Sequence, residues 1–355
     1  MITDKTNRED QQESILGGTL FRFVGNLLSP AGDRGRLSIL IYHRTLAAPD
    51  PILHDEIDAA TFERHMALLA ADFNVLPLGE ACARLVRGGL PARAACITFD
   101  DGYADNERVA LPILKRFGLQ ATFFVSTGFS DGGIMFNDGV IETVRYAPSG
   151  MHDLSRLGLG RYSLDDSASR RAAIDALLAQ IKYRPVGERD ALVEQLAAAM
   201  RSKLPKDLMM RPTQIKRLRD EGMEIGGHTV NHPILAVLDA QQARAEIVGG
   251  KHCLEEITGA PVTLFAYPNG KPGRDYGPRD VELVKEAGFT AAVSTLGGVA
   301  NRGSDVFQLP RFGPWDRSPL RLGVRLLLNC ARTTPARTSS SHGRSQEKSV
   351  RRSPS

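Results

Sequence analysis

Short β-like runs that alternate with helical patterns predict an α/β fold, a mainly parallel sheet with helices covering both faces. Six or seven such units fit a barrel, with an open doubly wound sheet as the alternative. A single α/β barrel takes about 250 residues, so 355 residues accommodate one large domain with extensions as readily as two domains. The composition, 42% apolar and 24% charged, is that of a globular chain and excludes wholesale disorder.

Residues 1–35 come first. Ile15, Leu16, Leu20, Phe21, Phe23, Val24, Leu27 and Leu28 fall close to helical spacing before the break at Ser29-Pro30-Ala31-Gly32. They predict an amphipathic helix, either docked on the body or lying in a membrane interface through residues 12–28, where Arg22 is the one basic residue.

Residues 36–330 make the body. The predicted strands are 37–42, 95–99, 121–126, 223–227, 263–267 and 290–294, with a late candidate ending in Gln308-Leu309-Pro310-Arg311. Helical patterns fill 61–72, 80–87, 106–117, 213–221, 240–257 and 279–287. Residues 130–212 interrupt the rhythm with mostly helical sequence, rich in Ala and Leu over 167–182 and 187–200. They are too long for a connecting loop and predict a helical cap over one end of the barrel.

Residues 331–355, rich in Ser, Thr and Arg and nearly free of large apolar side chains, predict a disordered tail. Six basic residues against Glu347 give this tail +5, so the net +4 of the chain becomes −1 over residues 1–330. The body is not basic, and nucleic acid is not an expected partner.

The four cysteines, Cys82, Cys96, Cys253 and Cys330, are scattered without a CxxC pair and read as reduced, space-filling residues. No run of about 18 apolar residues exists, and the N-terminus lacks the pattern of a secretory signal. These absences favour the cytoplasm or its membrane face over secretion.

Two segments carry chemistry. Thr98-Phe99-Asp100-Asp101-Gly102 ends a strand, where a barrel aims catalytic groups at a common point, although Asp-Asp-Gly also serves as a plain turn. His228-Thr229-Val230-Asn231-His232 ends another strand at the same rim. Two imidazoles four residues apart reach one metal ion, and a carboxylate from another strand completes a three-ligand site with an open position.

TFDDG followed by HTxxH resembles the polysaccharide deacetylase family, carbohydrate esterase family 4 with its NodB homology domain, over roughly residues 36–315. The resemblance implies a distorted (β/α)7 barrel and metal-dependent removal of acetyl groups from N-acetylated, sometimes O-acetylated, glycans. It implies Asp100 as general base, with Asp101, His228 and His232 as ligands of one divalent ion. Zinc suits this donor set, and nickel, cobalt or manganese also fit. Asp100, beside the ion, is placed to take a proton from water.

The sequence departs from the family twice. In Phe265-Ala266-Tyr267-Pro268-Asn269-Gly270, Ala266 stands where many members carry the arginine that orients the catalytic aspartate. Arg311 is the candidate replacement, while Tyr267 and the backbone N–H of Asn269 are candidates for the oxyanion and substrate side. The family's late catalytic histidine is missing around Val293-Ser294-Thr295-Leu296. His43, at the end of the early Tyr42-His43 strand, resembles the substitute used by one branch of the family and is expected to be the general acid.

His54, His65, His152 and His252 lack strand-end placement and read as structural or solvated. Asn137-Asp138 is expected to cap a helix over 139–145, with a projection toward the site as the alternative. The expected function is metal-dependent deacetylation, most directly of N-acetyl groups, on a polysaccharide such as an exopolysaccharide or on an oligosaccharide. A carbohydrate-binding barrel with impaired turnover and a hydrolase of a small cytosolic amide are the alternatives.

Overall fold

A computed structural model describes residues 18–331 apart from 183 and 185. Residues 12–17 of the expected amphipathic helix and 332–355 of the expected tail lie outside the described residues.

Seven parallel strands lie side by side in sequence order: β1 (Leu37–Tyr42), β2 (Ala94–Phe99), β3 (Thr122–Val125), β4 (Glu224–Gly227), β5 (Leu264–Ala266), β6 (Ala291–Gly297) and β7 (Leu309–Arg311). The two ends of the row meet. Ile41 N–H donates to Phe312 O at 3.0 Å and Phe312 N–H donates to Ile39 O at 2.7 Å. This contact draws the sheet into a nearly closed, distorted (β/α)7 barrel and rules out the open sheet.

Strand alternation sorts the core. Leu37, Ile39, Cys96, Phe124, Ala266, Val293 and Leu309 form one apolar cluster, while Leu40, Phe99, Phe123 and Phe265 join the other with residues of the surrounding helices. The first cluster includes Leu78, Ala81, Cys82 and Leu85 of helix α3 (Leu78–Arg87). The N-terminus of α3 is held by Glu224 at the start of β4, whose carboxylate accepts Leu78 N–H at 2.7 Å and Gly79 N–H at 3.1 Å.

The outer helices are α1 (18–28), α2 (Ala59–Asp72), α4 (Leu111–Arg116), α8 (Pro212–Asp220), α9 (Ala240–Thr258), α10 (Pro278–Glu286) and α11 (Pro319–Ala331). Asp58 and Asp239 cap α2 and α9 by accepting the N–H of Thr61 and Gln242. The described part of the N-terminal segment is a docked helix: Phe21 meets Phe73 edge-on at 5.9 Å and Arg22 pairs with Asp72 at 2.9 Å.

The long insertion between β3 and β4 contains α5 (Phe136–Tyr146), α6 (Ser167–Ile181) and α7 (Val186–Ala199), packed around Val140, Val144, Leu177 and Leu196. The insertion is mostly helical, as expected, with one hairpin added. Met151–Asp153 and Arg161–Ser163 form an antiparallel pair, turned by Gly158 and Gly160 in the left-handed region. The returning chain binds beside the TFDDG loop, with Ala104 N–H donating to Leu208 O and Met210 N–H to Gly102 O, both at 2.8 Å. The insertion therefore attaches at the carboxyl rim of the strands.

Candidate functional site

Asp100 and Arg311 inherit the alternation of their strands. Thr98 and Asp100 continue the row of Cys96, and Arg311 continues the row of Leu309, so both charged groups stand on the face shared by those two apolar side chains. Asp100 N–H donates to Tyr42 O at 3.0 Å, which ties the loop after β2 to the end of β1. The chain then bends through left-handed conformations at Asp101 (φ 75°) and Gly102 (φ 92°). Gly102 is required there, because a Cβ would lie 2.8 Å from Val125 Cγ1. The bend gives the adjacent carboxylates different partners.

Asp100 faces Arg311. The guanidinium Nη1 and Nη2 donate to Oδ1 and Oδ2, each at 2.7 Å, and Nε donates to Ser294 O at 2.8 Å. Both residues are 2% exposed. Burial disfavours the Asp100 carboxylate, but Arg311 outweighs it, with help from His228 and His43, and holds the pKa below the ordinary aspartate value. The guanidinium that meets Asp100 thus comes from β7, two strands away from position 266. Ala266 contributes its backbone instead.

Asp101 faces the two histidines. His228 follows β4, its N–H donating to Val125 O at 3.2 Å, and its Nδ1 donates to Ala266 O at 2.7 Å. A carbonyl only accepts, so the proton sits on Nδ1 and the Nε2 lone pair turns toward Asp101. Left-handed backbone at Thr229 (φ 66°) and His232 (φ 52°) folds the motif back, and Thr229 Oγ1 accepts His232 N–H at 3.1 Å. Glu246 of α9 clamps the turn by accepting Val230 N–H at 3.0 Å and Asn231 N–H at 2.8 Å. Gly250 permits this approach: a Cβ there would lie 2.8 Å from the Thr229 backbone.

The ligand atoms of Asp101, His228 and His232 consequently lie within 4.8 Å of one another. His228 Nε2 and His232 Nε2 stand 3.3 and 3.4 Å from Asp101 Oδ1, yet this buried oxygen accepts no hydrogen bond. An orphaned buried carboxylate oxygen is costly. Two imidazole nitrogens and one carboxylate oxygen are the donor set of zinc and its divalent neighbours, and the residues fit such an ion. Burial pushes His232 down to about 4, leaving a neutral ring at neutral pH. His228 goes up, because Asp101 and Asp100 outweigh burial, while Asp101 is held below the carboxylate range by His232, His228 and His43 despite its own burial.

His43 lies just past β1, half-buried, and its carbonyl accepts from Asn106 Nδ2 at 2.9 Å. Asn106 opens a π-helical stretch, Asn106–Ala110. His43, Thr295, Arg311 and Trp315 line one cavity of about 490 Å³. Asn269 is half-buried at φ 58°, its carbonyl accepting from Thr295 Oγ1 at 2.6 Å.

Two expectations are corrected. The Tyr267 side chain is a core group, not a substrate contact: it is fully buried, stacks on Tyr276 at 3.7 Å and donates its hydroxyl to Phe307 O at 3.1 Å. Strand alternation turns it into the cluster that contains Phe265. Asp138 does not cap α5, since the N-cap is Met135; its buried carboxylate accepts the Tyr103 hydroxyl at 3.0 Å, and burial raises its pKa to about 7.

His65 is buried between Tyr42 and the Asp316 carbonyl, and His54, His152 and His252 have no part in the metal cluster. Sequence reasoning missed Glu246, a helix residue without a motif. It also missed Trp315, the one tryptophan of the chain, which stands 60% exposed at the cavity wall.

Comparison with known proteins identifies the family and the fold. The polysaccharide deacetylase family model matches residues 87–292, which contain both motifs. A Bacillus subtilis (strain 168) protein named as a polysaccharide deacetylase, YxkH, is 22% identical over 278 residues, covering 78% of this chain and 70% of its own length. The fold is similar to the Streptococcus pyogenes deacetylase PplD, solved in complex with acetate (TM-score 0.57, 19% identity, 82% of this chain and 98% of that one). It is also similar to IcaB from Ammonifex degensii (TM-score 0.55, 19% identity, 86% and 99%). With the family model spanning more than half of its length and both motifs in place, the chain belongs to the polysaccharide deacetylase family, hydrolases of carbon–nitrogen bonds other than peptide bonds.

Proposed function

We propose that this protein is a metal-dependent deacetylase that hydrolyses N-acetyl groups on a polysaccharide or oligosaccharide. The observation that carries the reading is the division of labour between adjacent carboxylates, Asp100 on Arg311 and Asp101 on His228 and His232. Asp101, His228 and His232 hold one divalent ion, zinc first among zinc, nickel, cobalt and manganese. When bound, that ion supplies Lewis acidity to the acetyl carbonyl and to the attacking water.

Asp100, kept ionised by Arg311, accepts the proton of the attacking water. Arg311 fixes the carboxylate plane. His43, on the wall of the cavity next to Arg311, gives a proton to the departing amine, and the backbone N–H of Asn269 steadies the oxyanion. The glycan substrate is supported by the family, and the N-acetyl preference by the presence of a candidate acid for an amine leaving group.

Acetate release from N-acetylglucosamine oligomers and from O-acetylated oligosaccharides, with and without added metal, tests the reading. Metal-dependent release from the N-acetylated series is the expected result. Metal and glycan binding without release would establish an impaired binding barrel instead. Release confined to small amides would establish the small-amide hydrolase.

A further inference from the structure

Helices α1 and α11 lie side by side and in parallel. A Cβ on Gly323 would meet Phe21 Cε2 at 3.0 Å, and one on Gly25 would meet Leu327 Cδ2 at 3.3 Å, so four residues along α1 match four along α11. Their inner faces reach the core through Phe21, Leu322 and Leu326. Their outer faces stay apolar: Leu20, Phe23 and Leu27 are 61–65% exposed on α1, and Leu320, Val324 and Leu328 are 45–73% exposed on α11. The spacings are those of one stripe per helix. More than half of the exposed large apolar side chains among the described residues are gathered on this one face.

The charge around the face has one sign in excess. Neither helix carries an acidic residue over 18–28 or 319–331, whereas Arg22, Arg321 and Arg325 lie on them. The neighbouring acids Asp72, Asp316 and Asp33 are each matched, with Arg22, Arg325 and Arg302. Arg34 and Arg36 join Arg302 around a depression of about 430 Å³ that Leu27, Leu28 and Cys330 also line, at the carboxyl ends of both helices. The sequence then continues from α11 with six basic residues against Glu347.

We propose that the α1–α11 face seats the protein on an anionic lipid surface, the apolar stripes entering the interface and the arginines meeting lipid phosphates. An apolar stripe flanked by basic groups is the pattern of an interfacial helix, and adjacent basic sequence strengthens attraction to anionic headgroups. A second copy of this chain fits less well, because pairing the face with itself sets arginine against arginine with no acidic side chain on either helix. The helices lie on the bilayer: among the described residues no helix is long and apolar enough to cross a membrane. This inference rests on the surface alone and is independent of the catalytic reading.

Flotation of the full chain with vesicles tests it. The protein co-floats with phosphatidylcholine vesicles containing about 30% phosphatidylglycerol and not with phosphatidylcholine alone. Binding falls at least about tenfold in about 0.5 M salt, where charges are screened within a few ångströms. Phe23→Glu combined with Leu320→Glu causes a loss of about tenfold or more while acetate release from a soluble oligosaccharide is unchanged. Phe23→Trp combined with Leu320→Phe retains binding, which separates a lost surface from a lost fold. Removal of residues 332–355 gives a partial loss. Absence of co-flotation overturns the proposal, as does equal binding to uncharged vesicles. A dimer in solution that the double glutamate variant dissociates, without vesicle binding, assigns the face to a second copy and also overturns it.

Discussion

Arg311 holds Asp100 in a fork-to-fork ion pair, two parallel hydrogen bonds of 2.7 Å between a residue at the end of β7 and one at the end of β2. The pair links strands 211 positions apart in sequence, and both side chains are withdrawn from solvent. Bidentate geometry fixes the carboxylate plane as well as its charge, which a lysine does not reproduce.

Arg311→Met leaves an unpaired carboxylate in the core and is expected to destabilise the fold by about 3–5 kcal/mol. Asp100 then loses its main stabilising cation and its pKa rises. The acidic limb of the kcat/KM profile moves to higher pH, and Arg311→Lys recovers only part of the rate. Chemical denaturation and a pH–rate profile check this. Unchanged stability together with an unchanged acidic limb would show that the pairing has no role.

Asp100→Asn keeps the shape of the site and removes the proposed proton acceptor. The metal content stays that of the unmodified protein, and kcat falls by roughly 10²–10⁴. Elemental analysis beside steady-state kinetics decides the matter, because loss of metal would make Asp100 a ligand.

His228→Ala or His232→Ala removes one of the three proposed ligands and is expected to abolish both metal binding and acetate release. Chelation of the unmodified protein does the same, and added zinc restores activity. Metal–ligand distances of about 2.0–2.2 Å in a crystal of the loaded protein are the structural counterpart. A fully active metal-free preparation would end the assignment.

His43→Ala keeps the metal and lowers kcat on N-acetyl substrates by roughly 10²–10⁴. The loss is smaller for an activated aryl acetate, whose leaving group departs without a proton. Equal losses on both substrates would assign His43 a positioning role.

Asp138 couples stability to pH. Burial raises its pKa to about 7 in the folded protein, above the ordinary aspartate value. The folded state therefore holds the extra proton between about pH 4 and 7, and stability declines as pH rises through that window. Asp138→Asn, which keeps a partner for the Tyr103 hydroxyl, flattens this slope in thermal melts recorded from pH 4 to 8.

The strand–helix order was legible because it rests on local periodicity: 37–42 and 94–99 are short runs whose every residue is buried, and they read as strands from composition alone. The TFDDG and HTVNH motifs were legible for a related reason, each being a contiguous strand-end segment whose chemistry lies in neighbouring residues. The barrel was expected from the number of units and from the family resemblance, but the contact that closes it was not legible, since it depends on Phe312 meeting Ile39 and Ile41 across the whole body. Glu246 lies on an ordinary helix, and nothing local distinguishes its carboxylate from one in solvent until α9 is packed against the histidine turn. Tyr267 shows the reverse case: adjacency in sequence to Pro268 and Asn269 placed it at the site, and the alternation of β5 turned it into the core. Sequence determined which groups were available and where each strand ended. The tertiary structure decided which of them meet, because a salt bridge, a metal donor set or an apolar face shared by two helices depends on distances between residues far apart in the sequence.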